Sequence, residues 1–159
     1  MNKNSYLGID LGTKRVGLAY SNNPVLPVPS LGTINVRGSL TQTSKEVLEW
    51  LNKETQNQIQ RTTFIVGNPI NLEGQETKRS EISKSFCQKL QIEIEARGLK
   101  DIWDIILWDE RLTSVESEQM INHREDFRIK GEDRKRMKDQ LSASIILESY
   151  LRSIKQVSN

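Results

Sequence analysis

Two alternating apolar segments separated by a glycine turn open the chain, and they restrict its fold more than any other feature. Apolar side chains alternate with small or polar ones through residues 5–11 and again through residues 15–20, a pattern typical of β-strands. The stretch Gly12-Thr13-Lys14 between them has the length of a tight hairpin loop. The chain is therefore predicted to begin with a β-hairpin, with Asp10 on the face of its strand opposite to the apolar side chains.

Strand and helix patterns alternate through the rest of the chain. Strands are predicted over residues 30–36, 62–66 and 102–108, and helices over 44–57, over 77–96, from Thr113 to about residue 121, and from Asp139 onward. The first helix is placed by a capping box of Thr43 and Glu46. Strands that alternate with helices favour a largely parallel sheet, and 159 residues suit one domain. The sequence therefore predicts a single α/β domain over residues 1–159, with a mixed sheet, an N-terminal hairpin and helices on both faces.

Composition excludes several classes of protein. No apolar run approaches the roughly 18 residues of a membrane span, and Asp10 interrupts the segment where a signal peptide would be apolar, so a cytoplasmic protein is expected. Cys87 is the single cysteine, which excludes an internal disulfide, and its place beside Phe86 on a helix indicates a packed residue rather than a nucleophile. The net charge of +2 excludes a histone-like polycation but not a protein that binds nucleic acid.

Basic side chains concentrate between residues 123 and 138. Seven of them stand against four acidic ones, a larger excess than that of the whole chain. Because apolar periodicity is absent up to Gly131, a mobile basic loop over residues 123–138 is predicted. The alternative is an ordinary solvated linker. The residues of this loop that are predicted to contact nucleic-acid phosphates are Arg124, Arg128 and Lys130.

Three acidic residues stand where chemistry is expected. Asp10 lies in an apolar strand just before a glycine turn, Glu110 follows the strand that ends at Trp108, and Asp139 opens the last helix on its inward-facing side. Each has a structural alternative. For Asp10 the alternative is an ion pair with Lys14 or Arg15 of the hairpin. For Glu110 it is an ion pair with Arg111, and for Asp139 a favourable interaction with the helix dipole.

Taken together, the three acids favour a metal site. Carboxylates that converge from two strand ends and a helix repel one another unless a cation lies between them. Oxygen ligands suit Mg²⁺ or Mn²⁺. Two such ions about 4 Å apart activate a water and stabilise the leaving oxygen of a phosphodiester. The pattern therefore indicates metal-dependent phosphodiester hydrolysis, a reaction that needs no histidine.

Four blocks of the sequence resemble the YqgF family, also called RuvX, which has an RNase H-like fold. The first block runs from Leu7 through Ala19, and the others in order are Ile65-Val66-Gly67-Asn68-Pro69 through Asn71 and Gly74, Asp109 through Ser114, and Asp139 through Leu151. Their order, spacing and total length cover nearly the whole chain. Two positions depart from the family pattern, since Asn68 stands where an apolar residue is usual and Ser142 replaces a common alanine. These departures bear on loop geometry and on the fit of the substrate.

The resemblance implies an RNase H-like nuclease with Asp10, Glu110 and Asp139 as its acidic triad. Asp10 and Asp139 would ligate Mg²⁺ or Mn²⁺, and Glu110 would hold one ion or orient the water. Family members are described as nucleases that trim the 5′ end of pre-16S ribosomal RNA and as Holliday-junction-resolvase-like. The candidate phosphate contacts near the triad are Lys14, Arg15 and Arg111.

Other functions remain open at this point. The first block also looks like the phosphate-binding turn of the heat-shock chaperone and sugar-kinase ATPases, but those enzymes need a second lobe that 159 residues do not supply. A nucleic-acid-binding module for ribosome assembly with little nuclease activity is a further alternative. A junction resolvase would need a two-fold dimer, and no apolar stripe is left over for one. The sequence therefore favours a monomer that processes RNA, with a DNA junction as the second choice.

Overall fold

A computed structural model describes residues 4–24, 28, 30–112 and 131–157 of the chain. One mixed sheet holds five strands in the spatial order β3-β2-β1-β4-β5. Their bounds are β1 Asn4–Leu11, β2 Arg15–Asn22, β3 Ser30–Asn35, β4 Arg61–Asn68 and β5 Trp103–Asp109. The first three strands pair antiparallel, and β4 runs parallel to both β1 and β5. The predicted N-terminal hairpin is confirmed.

Helices cover both faces of the sheet, as predicted. They are α1 Leu40–Glu54, α2 Lys78–Ala96 and α3 Glu132–Val157, and a short 3-10 turn, Glu110–Leu112, follows β5. Helices α1 and α2 bury Leu48 and Phe86 against one face of the sheet. Helix α3 buries Ala143 and Leu147 against the other. The alternation of side chains along β1 thus divides its residues between two apolar cores.

The start of α1 differs from the prediction. Ser39 caps the helix, since its Oγ accepts from Gln42 N at 3.2 Å. Thr43 is buried inside the helix, and its hydroxyl donates to Ser39 O at 3.1 Å. The predicted capping box at Thr43 is wrong because a helical threonine can bond back to the carbonyl four residues earlier. The start predicted for α2 at Thr77 is confirmed, with Thr77 as the N-cap.

The last helix begins earlier than the sequence indicated. Residues 132–138, predicted to belong to a basic loop, form the first turns of α3. These turns have no apolar stripe because Asp133, Lys135 and Lys138 are exposed there. The predicted helix that starts at Thr113, and the candidate contacts Arg124, Arg128 and Lys130, lie outside the described residues. Within the described ranges, no helix is long and apolar enough to cross a membrane.

Two glycines of the hairpin allow the backbone of α3 to lie directly on the sheet. A Cβ on Gly8 would come within 2.8 Å of the Ala143 carbonyl oxygen, and a Cβ on Gly17 would collide with the carbonyl oxygen of Asp139. Protein interiors are close-packed, so such a collision forces a shift of the backbone. The glycines therefore fix the height at which α3, and Asp139 with it, lies above the hairpin.

Candidate active site

Asp10 and Asp139 meet across the hairpin. Asp10 pairs with Gly17 in the antiparallel register of β1 and β2, and the backbone of Asp139 lies against Gly17. Ile9 and Leu11, on either side of Asp10, point into the core under α1 and α2. Asp10 therefore points toward α3, because successive side chains of a strand alternate between its faces.

Glu110 approaches the same face of the sheet from the end of β5, which β4 separates from β1. It opens the 3-10 turn directly after β5, and its Oε1 lies 2.5 Å from where a Cβ on Gly67 would stand. Gly67 lies in β4, next to β1, and the side chain of Ile146 of α3 meets the same position. Any side chain at Gly67 would displace this carboxylate. Glu110 therefore lies over the end of β4 on the side of the sheet that faces α3.

Asp10 interacts electrostatically with both of the other acids. Burial, as the largest cause, raises the pKa of Asp10 from 3.8 to about 6; the charge of Arg79 lowers it and that of Asp139 raises it further. Burial also raises the pKa of Glu110 from 4.5 to about 7, the charge of Asp10 adds to the rise, and that of Arg79 opposes it. The charge of Asp10 thus acts together with those of the other two acids that the sequence singled out, and burial disfavours the charged forms of Asp10 and Glu110.

Arg15 is bound to one of these acids. Its Nε donates to Oδ2 of Asp139 at 2.8 Å, and the two side chains are only 16% and 27% exposed. The sequence offered Arg15 as a possible partner of Asp10, five residues away, or as a phosphate contact. Arg15 forms its ion pair with Asp139 because the register of the hairpin places Arg15 beside the first turns of α3.

The donor set fits a hard divalent cation in its chemistry. Three carboxylates offer only oxygen atoms, which Mg²⁺ and Mn²⁺ prefer. A cation among them would offset the burial and the mutual repulsion that raise the pKa of Asp10 and of Glu110. In the part of the chain that the structure describes, no three His, Cys, Asp or Glu side chains are arranged as a ready metal-binding group. Asp139 is paired with Arg15 in this structure.

The other two candidate phosphate contacts beside the acids differ in their partners. Arg111 binds the carboxylate of Asp109 through Nε and Nη2, at 3.1 and 2.8 Å, and this hydrogen bonding lowers the pKa of Asp109. The sequence raised Glu110 as a possible partner of Arg111, whereas the structure pairs Arg111 with Asp109. Lys14 is exposed in the hairpin turn, and its carbonyl accepts from Val36 N at 2.8 Å. Lys14 is thus a solvent-accessible cation of the hairpin loop that leads into Arg15.

Arg79 is the site residue that sequence reasoning missed. It is the second residue of α2, is exposed, and places a positive charge near both Asp10 and Glu110. The sequence carried one signal, a basic residue within two positions of a capping threonine on a helix that follows a strand end. That signal is too common to single out Arg79 without the fold.

Two further sequence interpretations concern Cys87 and Asn68. Cys87 is half-buried against the core, and burial raises the pKa of its thiol to about 11, which confirms a packed residue rather than a nucleophile. Asn68, the family departure at the end of β4, has a buried Oδ1 that accepts no hydrogen bond from the described residues. An orphaned buried acceptor costs about 1–3 kcal/mol. Ser142, the second departure, is half-buried in α3.

The sheet order and the helices on both faces define an RNase H-like fold. Solved structures with this fold include *Thermus thermophilus* RuvC bound to a Holliday junction substrate, with a TM-score of 0.55 and 11% identity over 94% of this chain and 95% of that one. Another structure of *T. thermophilus* RuvC matches with a TM-score of 0.50 and 13% identity, over 94% of this chain and 96% of that one. At these identities the likeness concerns the fold alone.

The chain belongs to the RuvX family. Residues 4–153 match the family model described as "RuvX: Holliday junction resolvase". Relatives named "Putative pre-16S rRNA nuclease" include those of *Chlamydia muridarum*, 33% identical over 96% of this chain and 95% of the relative, and *Chlamydia pneumoniae*, 36% identical over 94% and 91%. A third, from *Ruminiclostridium cellulolyticum*, is 33% identical over 91% and 92%. The names of the family and of these relatives indicate a nuclease, a phosphodiester-cleaving hydrolase.

Proposed function

We propose that this chain is a divalent-metal-dependent nuclease that processes the 5′ end of pre-16S ribosomal RNA in the cytoplasm. The observation that carries the proposal is that Asp10 interacts with both Asp139 and Glu110, the first across the hairpin and the second at the end of the sheet. Mg²⁺ or Mn²⁺, when bound there, would supply an activated water and stabilise the leaving oxygen. The names of the relatives support ribosomal RNA as the substrate.

Each carboxylate has a distinct place in this proposal. Asp10 and Asp139 would hold the metal ions from the hairpin and from α3, and Glu110 would hold one ion or orient the attacking water from the end of β5. The buried setting of Asp10 and Glu110 favours binding of a cation, since their negative charges are otherwise poorly solvated. The Arg15 side chain holds Asp139, and a metal ion bound there would compete with this ion pair.

Basic residues around the acids are proposed to bind the RNA backbone. Lys14 is exposed in the hairpin turn, and Lys135, Arg136 and Lys138 are exposed on the first turns of α3. The sequence adds Arg124, Arg128 and Lys130 just before this helix. Arg15 and Arg111 already bind carboxylates, so a contact with phosphate would require each of them to exchange partners. Phosphate contacts of this kind give affinity without sequence preference.

A four-way DNA junction is the second candidate substrate. The description of the family and the junction-bound RuvC structure favour it. A resolvase makes two symmetric cuts and requires two active sites related by a two-fold axis. We propose a monomer with a single nuclease domain, which suits the trimming of one RNA strand.

A side-by-side cleavage assay tests the proposal. The purified chain is incubated with a labelled pre-16S 5′-leader RNA or a mobile four-way junction, in Mg²⁺, in Mn²⁺ and in EDTA, and its mass in solution is measured in parallel. We expect cleavage of the RNA by a monomer with either metal and none in EDTA. Symmetric nicks in the junction from a stable dimer, with the RNA intact, would reassign the substrate. Binding of RNA without cleavage in either metal would leave only an assembly module.

A further inference from the structure

The first turn of α2 is held against the end of β4. Thr77, the N-cap of the helix, donates from Oγ1 to the carbonyl of Pro69 at 2.9 Å and accepts from Ser80 N at 3.1 Å. Ser80 in turn is fully buried, and its Oγ accepts from Thr77 N at 2.7 Å. Pro69 directly follows Asn68, the last residue of β4. The first turn of α2 is therefore anchored to the residue that directly follows β4.

Arg79 lies on this fixed turn, beside the strand end that carries the acids. Asn68 pairs with Asp109 in the register of β4 and β5, and Glu110 is the next residue. The positive charge of Arg79 acts on both Asp10 and Glu110, and in each case it is the largest influence that opposes burial. Arg79 is nonetheless exposed. A guanidinium that is near two carboxylates and open to solvent is available to a substrate that enters between them.

We infer that Arg79 is a substrate-binding residue of the active site, whose guanidinium binds the scissile phosphate of the nucleic acid. This inference rests on the proposed nuclease function. With the carboxylates neutralised by bound metal ions, the guanidinium of Arg79 would be available to the phosphodiester. A guanidinium offers paired donors that match two phosphate oxygens, and a fixed donor near a reacting phosphoryl group stabilises its developing charge.

The chain offers a matched control beside Arg79. Lys78 is the preceding residue of the same helical turn and is also exposed. Lys78→Gln and Arg79→Gln remove the same charge from the same turn, so any difference between them reflects position. Arg79→Lys keeps the charge but loses the paired donors, and it remains informative if Arg79→Gln does not fold.

Cleavage and binding are measured separately on the pre-16S 5′-leader RNA. In Mg²⁺, Arg79→Gln is expected to lower kcat/KM by about 100-fold, Arg79→Lys by less, and Lys78→Gln not at all. In Ca²⁺, with the RNA verified as intact on a gel, fluorescence anisotropy at several salt concentrations gives the salt dependence of binding. Its slope is expected to fall by about 0.7 for Arg79→Gln, the value for one phosphate contact on a single strand.

Three outcomes would overturn the inference. Arg79→Gln that matches Lys78→Gln in both assays excludes a special role for Arg79. Loss of cleavage with an unchanged slope and tighter binding of Mn²⁺ would show that Arg79 acts only on the carboxylates. If Arg79→Gln does not fold, and Arg79→Lys folds with unchanged cleavage and an unchanged salt slope, then Arg79 has a structural role. If the wild type fails to cleave, the proposed function fails, and the binding assay still decides whether Arg79 contacts phosphate.

Discussion

Arg15 Nε donates to Asp139 Oδ2 at 2.8 Å and so joins the first residue of β2 to the helix that packs on it. The pair spans 124 positions of the sequence. It gives one acid of the candidate metal site a positive partner from the protein itself. A guanidinium and a divalent cation cannot both be the nearest positive charge of the same carboxylate oxygen, so the two compete for Asp139.

This competition predicts the behaviour of Arg15→Gln. The variant is expected to lose about 1 kcal/mol of unfolding free energy in EDTA, since the pair is partly buried. It is also expected to bind Mn²⁺ several-fold more tightly. Urea unfolding and titration with Mn²⁺ followed by electron paramagnetic resonance measure the two effects. Lys14→Gln, which removes a charge from the adjacent turn, is the control. Weaker binding of Mn²⁺ by Arg15→Gln alone would show that Arg15 supports the site rather than competing for it.

The three acids are expected to separate in their effects on stability. Asp10→Asn, Glu110→Gln and Asp139→Asn should each abolish metal-dependent cleavage. Asp10→Asn and Glu110→Gln should raise the unfolding free energy without metal, because each removes a poorly solvated charge. Asp139→Asn should lower it, because the pair with Arg15 is lost.

Thermal unfolding in EDTA and gel assays of cleavage measure these effects. The exposed Asp101 supplies the control, as Asp101→Asn should change neither quantity. Cleavage at the wild-type rate by all three variants would remove these acids from the reaction. Unfolding of all three would instead make them structural partners.

Stability without metal should fall as the pH rises through the range in which Asp10 ionises. Its pKa is about 6 in the folded protein against 3.8 ordinarily, so the folded state binds more protons than the unfolded state between these values. Protonated Asp10 therefore stabilises the folded state by about 1–3 kcal/mol relative to its ionised form. This contribution is complete below about pH 4 and is lost as the pH rises to about 7. Urea unfolding in EDTA at several pH values measures it. Asp10→Asn should make the fall smaller but not remove it, because the raised pKa of Glu110, about 7, contributes in the same direction. A wild-type curve without this fall would contradict the prediction.

Gly17→Ala tests how closely α3 must lie on the hairpin. The added methyl group would meet the carbonyl of Asp139, and we expect a loss of about 1–3 kcal/mol in unfolding free energy together with a loss of cleavage. Gly38→Asn is the control, because Gly38 has open space around it and asparagine tolerates its positive φ of 74°. Wild-type stability and cleavage in Gly17→Ala would show that the helix can shift without cost to the site.

The strands, and the places of Asp10 and Glu110 at the ends of two of them, could be predicted because they depend on local patterns. Alternation along residues 5–11 already places Asp10 opposite Ile9, and a carboxylate after a strand end belongs to the edge where parallel strands finish. The start of α1 could not be read, because Thr43 carries the same hydroxyl whether it caps a helix or bonds back within one. The sequence gives only the type of residue, and a threonine is compatible with both roles.

The partners of the basic residues could not be predicted, for a different reason. Arg15 is five positions from Asp10 and 124 from Asp139, and only the packing of α3 on Gly17 decides between them. Arg79 likewise becomes a neighbour of Asp10 and Glu110 through the hydrogen bond from Thr77 to Pro69. Long-range contacts of this kind follow from the assembled sheet and not from spacing along the chain.

The packing of α3 on the glycines of the hairpin has a consequence for biosynthesis. A ribosome makes Asp10 near the beginning of the chain and Asp139 near its end, and the two acids meet only when α3 lies on Gly8 and Gly17. A nascent chain that still lacks this helix has an exposed hairpin and an incomplete set of carboxylates. Under the proposed function, a chain released before this helix is made lacks Asp139 and is expected not to cleave RNA.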